Sequence, residues 1–297
     1  APPTNTPAPP TNTPAPPTNT PVPPTNTPVP PTPTNTPVPG GDDVIYVSSS
    51  SGGSVGGVSF ADEDILAYDT GTGNWSMYLD GSDVGLSGSS SRDIDAFTIL
   101  DDGSILLSVV RATTLPDVGS VDDSDIVRFV PTSTGTSTAG TYEWYFDGSD
   151  VGLTNNGEDV DSVYVMSNGD LLISTAGGYS VSGASGSDED LIRFTPSSLG
   201  ANTSGSWAAY FDGSDVGLNN SSDEDTWGSW VDESNGDIYL TSRGVFSVSG
   251  ADGNGADIFV CTPGSLGSST SCTFSTYWDG SAFGYGSERM DGFFIQR

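Results

Sequence analysis

One eight-residue phrase occurs four times in the chain and makes it a repeat protein. Its consensus is Tyr-Xaa-Asp-Gly-Ser-Asp-Val-Gly, and the copies begin at Tyr78, Tyr145, Tyr210 and, with the ending Ser-Ala-Phe-Gly, at Tyr277. The first aspartates of the four copies are 67, 65 and 67 residues apart, which is longer than the common helical-repeat periods and suits one four-stranded sheet per repeat. Because Gly-Ser-Asp-Val-Gly has turn chemistry, the chain is predicted to be all-β.

Within one repeat the sequence predicts four short strands, at residues 95–100, 104–109, 125–130 and 142–146. Each is rich in β-branched or aromatic residues and is bounded by Gly, Asp or Ser. The first two are joined by Asp101-Asp102-Gly103, which suits a tight hairpin turn. Each repeat is therefore predicted to be an antiparallel meander.

The two ends of the chain indicate a closed ring. Residues 290–296 match the first strand of a repeat, and the second, third and fourth strands that should follow are found at 44–48, 64–68 and 75–79. Splitting one blade between the termini closes a β-propeller and hides its edge strands. We therefore predict a four-bladed propeller over 42–297, with a two-sheet sandwich module as the alternative. The predicted repeats are about 91–155, 156–220, 221–286, and 287–297 plus 42–90.

The charge of the propeller region narrows the classes of partner. The chain has 39 acids against seven arginines, no histidine and a net charge of −32. Such a surface repels nucleic acid and anionic lipid, and no apolar run is long enough to insert into a membrane. The usual nucleophile and base pairs are also absent without His or Lys, so we predict no enzyme activity and no organic cofactor.

The two cysteines, Cys261 and Cys272, belong to the last complete repeat. Adjacent antiparallel strands would bring them together, and a disulfide there would imply an oxidising compartment. Two buried free thiols are the alternative. A zinc site is disfavoured because two cysteines without histidine cannot complete it.

A different repeat occupies the beginning of the chain, and we predict an extended tail domain at 1–41. Ala-Pro-Pro-Thr-Asn-Thr-Pro recurs there with period seven, and residues 1–39 contain 17 prolines and no charge. This composition predicts polyproline II, whose rise of about 3.1 Å per residue gives a reach of roughly 120 Å. A propeller of this size is only about 45 Å across, so the tail could pass one or two neighbouring copies. A flexible stalk is the alternative.

The tail and the propeller both carry candidate glycosylation sites. Threonines near prolines are typical of mucin-like O-glycosylation, and three Asn-Xaa-Ser/Thr sequons lie in the propeller region. The candidates are Thr4, Thr6, Thr11, Thr13, Thr18, Thr20, Thr25, Thr27, Thr32, Thr34, Thr36, Asn74, Asn202 and Asn219.

Carboxylates recur in register at the entrance to each predicted first strand. The first strand of a propeller blade lines the central channel, so these side chains are expected to converge near the axis. Converging carboxylates repel unless a hard cation or protons neutralise them, which suggests a Ca²⁺ site. The alternative is that each Asp caps loop amides of its own blade. The candidate metal ligands are Asp93, Asp95, Asp159, Asp161, Asp225 and Asp291.

Other recurring positions are interpreted as architectural. An aspartate begins the third predicted strand of each blade. The tyrosine of the recurring phrase suits packing between blades. Trp227 and Trp230 break the internal symmetry, which makes them candidates for ligand contact. The architectural acids are Asp64, Asp125, Asp190 and Asp257.

The chain resembles secreted bacterial proteins in which Pro-Thr-rich spacers alternate with Asp-Gly-Ser-Asp-Val-Gly-Leu repeats. The resemblance rests on Pro-Pro-Thr-Asn-Thr-Pro in the tail and on segments such as residues 188–200 in the blades, and it implies an extracellular location. Because the chain starts at Ala1, we expect a processed or partial product. The predicted function is a glycosylated extracellular filament subunit whose partner is a second copy. A surface module that binds glycan or Ca²⁺ on a mucin-like stalk is the alternative.

Overall fold

A computed structural model describes residues 41–297 together with Ala1 and Pro3. Apart from Ala1, Pro3 and Gly41, the predicted tail domain lies outside the described residues, and so do all eleven threonine glycosylation candidates. The chain divides into two units, residues 1–35 and residues 36–297.

The described chain is built of short strands and four 3-10 helices. Up to the first recurring phrase they are β1 (Val44–Ser49), β2 (Gly53–Val55), β3 (Val58–Phe60), β4 (Ile65–Asp69), β5 (Asn74–Leu79) and η1 (Gly81–Val84). Up to the second they are β6 (Ile94–Ile99), β7 (Ile105–Val109), β8 (Thr113–Leu115), β9 (Gly119–Val121), β10 (Ile126–Ser133), β11 (Ala139–Phe146) and η2 (Ser149–Val151). Up to the third they are β12 (Val160–Val165), β13 (Leu171–Thr175), β14 (Tyr179–Val181), β15 (Ala184–Gly186), β16 (Leu191–Ser198), β17 (Ser204–Phe211) and η3 (Ser214–Val216). The remainder are β18 (Thr226–Asp232), β19 (Asp237–Ser242), β20 (Phe246–Val248), β21 (Ala251–Gly253), β22 (Ile258–Ser265), β23 (Ser271–Trp278), η4 (Gly280–Phe283) and β24 (Met290–Gln296).

These strands form four antiparallel four-stranded sheets arranged in a ring, which confirms the predicted four-bladed propeller. From the innermost strand outward, the order is β24-β1-β4-β5 in blade 1, β6-β7-β10-β11 in blade 2, β12-β13-β16-β17 in blade 3 and β18-β19-β22-β23 in blade 4. Blade 1 closes the ring as predicted, because Ile45 of β1 pairs with Ile295 of β24. Contacts between the innermost strands connect each blade with the next around the centre.

Each blade also contains a small hairpin that the sequence prediction missed. The hairpins β2-β3, β8-β9, β14-β15 and β20-β21 lie between the second and third strands of their blades. The third and fourth strands are longer than expected in blade 2, where they extend over Ile126–Ser133 and Ala139–Phe146.

The hydrophobic core lies between the faces of neighbouring blades. One cluster joins blade 1 to blade 2, where Leu79 packs with Phe97 and Phe129, and another joins blade 2 to blade 3. The second strands of these blades are sandwiched, and every residue of Ile105–Val109 is buried. This placement explains why the second strands read as apolar runs rather than as an alternating pattern.

The recurring phrase forms a 3-10 turn whose two glycines have different tasks. At Gly81 a Cβ atom would lie 2.1 Å from the carbonyl oxygen of Glu63, so the backbones approach too closely for any other residue. Gly85 adopts a φ of 89°, the left-handed conformation that glycine adopts without strain. The same two requirements recur in the other three copies.

The aspartates that open the third strands bind the preceding loop, as their recurrence suggested. Asp64 accepts hydrogen bonds from the backbone N–H groups of Ala61 and Gly81, at 2.8 and 2.9 Å. The equivalent bonds recur at Asp125, Asp190 and Asp257. These four acids therefore hold the 3-10 turn of each blade against its third strand.

The two cysteines form a disulfide across β22 and β23, with their Cα atoms 5.2 Å apart. Cys272 lies inside the fourth strand of its blade, which begins at Ser271. The disulfide therefore reinforces a pair of strands that are already hydrogen-bonded to each other.

Candidate functional site

The innermost strand of every blade contains a β-bulge near its start. In blade 3 the bulge places Asp161 outside the regular pairing of β12 with β13, and in blade 4 Trp227 takes the equivalent place. Asp95 in blade 2 and Asp291 in blade 1 lie at the corresponding register shifts. Because a bulge re-aims a side chain, the residue at this position of each blade leaves the normal alternation of the strand at one mouth of the channel.

Several carboxylates at this mouth are buried with at least one oxygen that has no hydrogen-bond partner in the described part of the chain. Asp161, Asp225 and Asp291 are 1, 2 and 3% exposed, and both side-chain oxygens of Asp161 lack a hydrogen-bond partner in the described part of the chain. Asp93 and Asp159 each leave one oxygen unpartnered in the same way. Burial of an unpaired charge is costly, so these groups must be neutralised by protons or by a cation.

Burial and mutual repulsion hold the protons on these acids. Burial first, and then the charge of Asp95, raises the pKa of Asp159 to about 9. Burial, followed by the neighbouring charges of Asp62 and Asp95, raises the pKa of Asp93 to about 8. The pKa of Asp161 is raised well above its ordinary value by burial and then by the charge of Asp225.

The remaining acids at the mouth follow the same pattern. Burial raises the pKa of Asp95 to about 7, against a hydrogen bond with Asp159 that lowers it. The pKa of Asp291 is also raised well above normal, by burial and then by the charge of Asp93. The structure thus brings all six candidate metal ligands into one electrostatically coupled group, and these six are named the carboxylate mouth.

Blade 4 departs from the others because a tryptophan takes the position of the second acid and an arginine lies beside it. The Trp227 indole N–H donates to Asp225 Oδ2 at 3.1 Å, and the Arg243 guanidinium lies 5.8 Å from the centre of the Trp227 ring. Burial raises the pKa of Asp225 to about 8, although the bond from Trp227 and the charge of Arg243 lower it. Trp227 therefore acts as a hydrogen-bond donor to the carboxylate mouth.

A preassembled metal centre is not present at the carboxylate mouth. Within residues 41–297 no group of three or more His, Cys, Asp or Glu side chains is arranged to hold one metal ion. The unpartnered oxygens nevertheless offer the ligand type that Ca²⁺ prefers, and Ca²⁺ also accepts water as a ligand. The arrangement can therefore store protons, and it could bind a hydrated cation.

The opposite mouth of the channel is an aromatic cavity of about 890 Å³. It lies where the innermost strands end, at Ile99, Val165, Trp230 and Phe294. The other aromatic side chains in its wall are Tyr46, Tyr78 and Tyr164. This surface is named the aromatic cavity.

Trp230 belongs to the aromatic cavity, so the two symmetry-breaking tryptophans lie at opposite mouths. Its ring is 6.4 Å from that of Tyr164, and the Arg297 guanidinium lies 5.1 Å from the ring centre. Sequence reasoning identified Trp230 but missed Tyr46, Tyr164 and Phe294. The signal shared by Tyr164 and Phe294 is an aromatic residue near the end of an innermost strand, whereas Tyr46 lies on the second strand of blade 1, opposite Phe294.

The three asparagine candidates for glycosylation are all exposed. Asn74 begins β5, Asn202 lies between β16 and β17, and Asn219 follows the third copy of the phrase.

Comparisons with known proteins identify no family. No protein-family model matches the chain, and no curated protein matches it. Among solved structures, it is similar to the extracellular domain of a hybrid two-component system from B. thetaiotaomicron, at 13% identity and a TM-score of 0.29, over 80% of this chain and 32% of that one. A second structure, described as the extracellular domain of a one-component system from the same organism, gives 12% identity and a TM-score of 0.21, over 75% and 34% of the two chains.

The chain spans about a third of each of these structures. Both TM-scores are low, so the fold is assigned from the sheet topology described above. In the described part of the chain, no helix is long and apolar enough to span a membrane.

Proposed function

We propose that the chain is a structural subunit of an extracellular, glycosylated filament, in which the Pro/Thr tail of one copy docks on the propeller of another. The observation that carries this proposal is the combination of a closed propeller with an uncharged seven-residue repeat. The predicted reach of that repeat, about 120 Å in polyproline II geometry, exceeds the diameter of one propeller.

Charge supports the tail as the connecting element. All charged residues, and hence the net charge of −32, lie outside residues 1–39, so two propeller surfaces repel each other. An uncharged segment can approach a propeller without this repulsion. Contact between a tail and a different surface is heterologous, and a heterologous contact that does not close on itself propagates as a fibre.

The disulfide between Cys261 and Cys272 supports the extracellular part of the proposal. Disulfides persist in oxidising compartments and are rare in reducing ones. The proposed role requires no chemistry, and the subunit is proposed to be non-enzymatic.

The test is negative-stain electron microscopy of the native protein beside a version that lacks residues 1–39. The proposal expects beaded fibres from the full chain and single particles from the truncated chain. Single particles from both proteins, at concentrations up to those of the native material, would contradict it.

The carboxylate mouth favours a second candidate function, which is binding of Ca²⁺. The specific observation is the set of buried carboxylate oxygens without partners. Ca²⁺ would displace protons there, so its binding should strengthen as the pH rises from 6 to 8.5. Equilibrium dialysis at both pH values, with Asp161→Asn/Asp291→Asn as the control variant, tests this function. No bound Ca²⁺ at either pH would exclude it.

A further inference from the structure

We propose that the aromatic cavity is the acceptor site for the Pro/Thr tail of a second copy. This inference rests on the filament function proposed above and names the surface that the tail would occupy. The occupant is the segment of residues 4–40, which lies outside the described structure.

The chemistry of the wall suits a proline-rich occupant. The Tyr46 and Tyr78 rings pack edge to face with their centres 4.6 Å apart, and Phe294 continues this row at 6.1 Å from Tyr46. Trp230 and Tyr164 supply aromatic rings from blades 4 and 3. Grooves lined by aromatic side chains are the common receptors of polyproline II segments, whose preformed geometry limits the entropy lost on binding.

The wall also offers hydrogen-bond donors to the occupant. Neither the Tyr78 hydroxyl nor the Trp230 indole N–H has a hydrogen-bond partner within the part of the chain that the structure describes. A polyproline II segment makes no internal hydrogen bonds, so its carbonyl groups remain available as acceptors. Aromatic rings that also donate hydrogen bonds can therefore fix both the position and the direction of the tail.

Charge and size favour this occupant over an acidic one. The cavity wall includes Asp101, Asp102 and Glu233, with Arg297 as its single basic residue, so the site disfavours anionic peptides and favours an uncharged segment. A volume of about 890 Å³ is within the range of small-ligand sites, about 300–1,000 Å³. The cavity therefore suits part of one seven-residue repeat, and the near-identical repeats of the tail offer several equivalent registers.

The first experiment compares Tyr78→Ala with Tyr145→Ala in the full chain. Both tyrosines are half-buried and occupy the same position of the recurring phrase, but Tyr78 lines the cavity and Tyr145 does not. Because a central aromatic anchor often contributes more than a tenfold change in affinity, Tyr78→Ala should raise the critical concentration for filament formation by about tenfold or more. Tyr145→Ala should change it by less than about twofold.

Pelleting assays measure the critical concentration, and thermal melting shows that both variants are folded. Equal critical concentrations for the two folded variants would overturn the cavity as the docking site. If Tyr78→Ala does not fold, the trapping experiment below decides the question without it.

The second experiment traps the contact with engineered cysteines. The two natural cysteines are joined to each other, so new thiols report only on the new contact. One full-length chain carries Met166→Cys in the cavity wall, and a second carries Thr13→Cys in the tail. As the control, Val245→Cys, which is 63% exposed and outside the cavity, replaces Met166→Cys.

After mild oxidation of mixed chains, the proposal expects a reducible crosslink between Met166→Cys and Thr13→Cys, at a yield at least fivefold above that of the Val245→Cys control. Filaments without this preference would overturn the cavity site and leave the filament function standing. An unmodified chain that stays monomeric would overturn both. A glycan that binds the cavity and does not compete with the tail would likewise count against this assignment.

Discussion

The carboxylate of Asp83 accepts a hydrogen bond from the backbone N–H of Thr138 in the next blade, at 2.9 Å. The Thr138 hydroxyl in turn accepts from the backbone N–H of Asp80, also at 2.9 Å. The same reciprocal pair occurs where Asp150 meets Thr203 and where Asp215 meets Thr270. The second aspartate of the recurring phrase is therefore a latch between neighbouring blades.

The fourth copy of the phrase lacks the latch for a structural reason. Ala282 replaces the aspartate there, and blade 1 joins its third and fourth strands by a shorter loop. A second contact of this junction is kept, because the Trp75 indole N–H donates to the carbonyl oxygen of Phe283 at 3.0 Å, as the Trp207 indole does to Val151 at the junction of blades 2 and 3. The Phe283 ring stacks on Trp278.

Loss of one latch should lower stability measurably. Asp83→Ala removes the acceptor for Thr138, and because Asp83 is exposed we expect a loss of about 1 kcal/mol in the free energy of unfolding. Urea unfolding of Asp83→Ala, Thr138→Ala and the double variant measures the coupling. A double variant that loses as much as the two single variants together would show that the two residues act independently.

The carboxylate mouth predicts that stability falls as the pH rises. Folded Asp93 and Asp159 have pKa values of about 8 and about 9, whereas an unfolded aspartate has a pKa of about 3.9. Between these values the folded state binds more protons than the unfolded state, so the free energy of unfolding decreases with pH. We expect a Tm at pH 8.5 that is at least about 5 °C below the Tm at pH 5.5.

Removal of the titrating groups should weaken this dependence. The double variant Asp159→Asn/Asp291→Asn should melt closer to the same temperature at both pH values, and calorimetry at low ionic strength without divalent ions measures it. Asp252→Asn, which changes an exposed acid in a hairpin, serves as the control and should retain the full difference. An unchanged difference in the double variant would contradict the role of the mouth.

The architecture could be predicted from sequence because it depends on local sequence signals that recur in every blade. The turn phrase recurs with a strand-compatible period, and residues 290–296 match the strand missing from the beginning of the propeller. The small hairpins escaped prediction because three-residue strands such as Gly53–Val55 are too short to show an alternating pattern.

The candidate sites were predictable only in part. The recurrence of Asp95 and Asp161 indicated convergence near the axis, but the bulges that re-aim them depend on cross-strand pairing. The aromatic cavity could not be anticipated, because Tyr78 and Trp230 are distant in sequence and meet only when the ring closes.

Reduction of the disulfide should destabilise blade 4. The bond joins residues 11 positions apart, and closure of a loop of this size stabilises by about 2–3 kcal/mol in the chain-entropy model. Calorimetry with and without a reducing agent should therefore show a Tm lower by about 4–10 °C after reduction. The variant Cys261→Ser/Cys272→Ser should melt at the reduced temperature and ignore the reducing agent. A Tm that reduction leaves unchanged would show that strand pairing alone secures this hairpin.

Arg297 should stabilise the junction between blades 1 and 4. Its guanidinium pairs with the carboxylate of Asp232 and donates to the Tyr239 hydroxyl, while it lies over the Trp230 ring. Lysine keeps the charge but loses the planar stacking and the forked donors. Because the site is partly exposed to solvent, we expect Arg297→Lys to lose about 1 kcal/mol in urea unfolding. As the control, Arg289→Ala changes an exposed arginine and should leave the free energy of unfolding unchanged. If Arg297→Lys leaves it unchanged as well, the strand pairing of β24 closes the ring without help from Arg297.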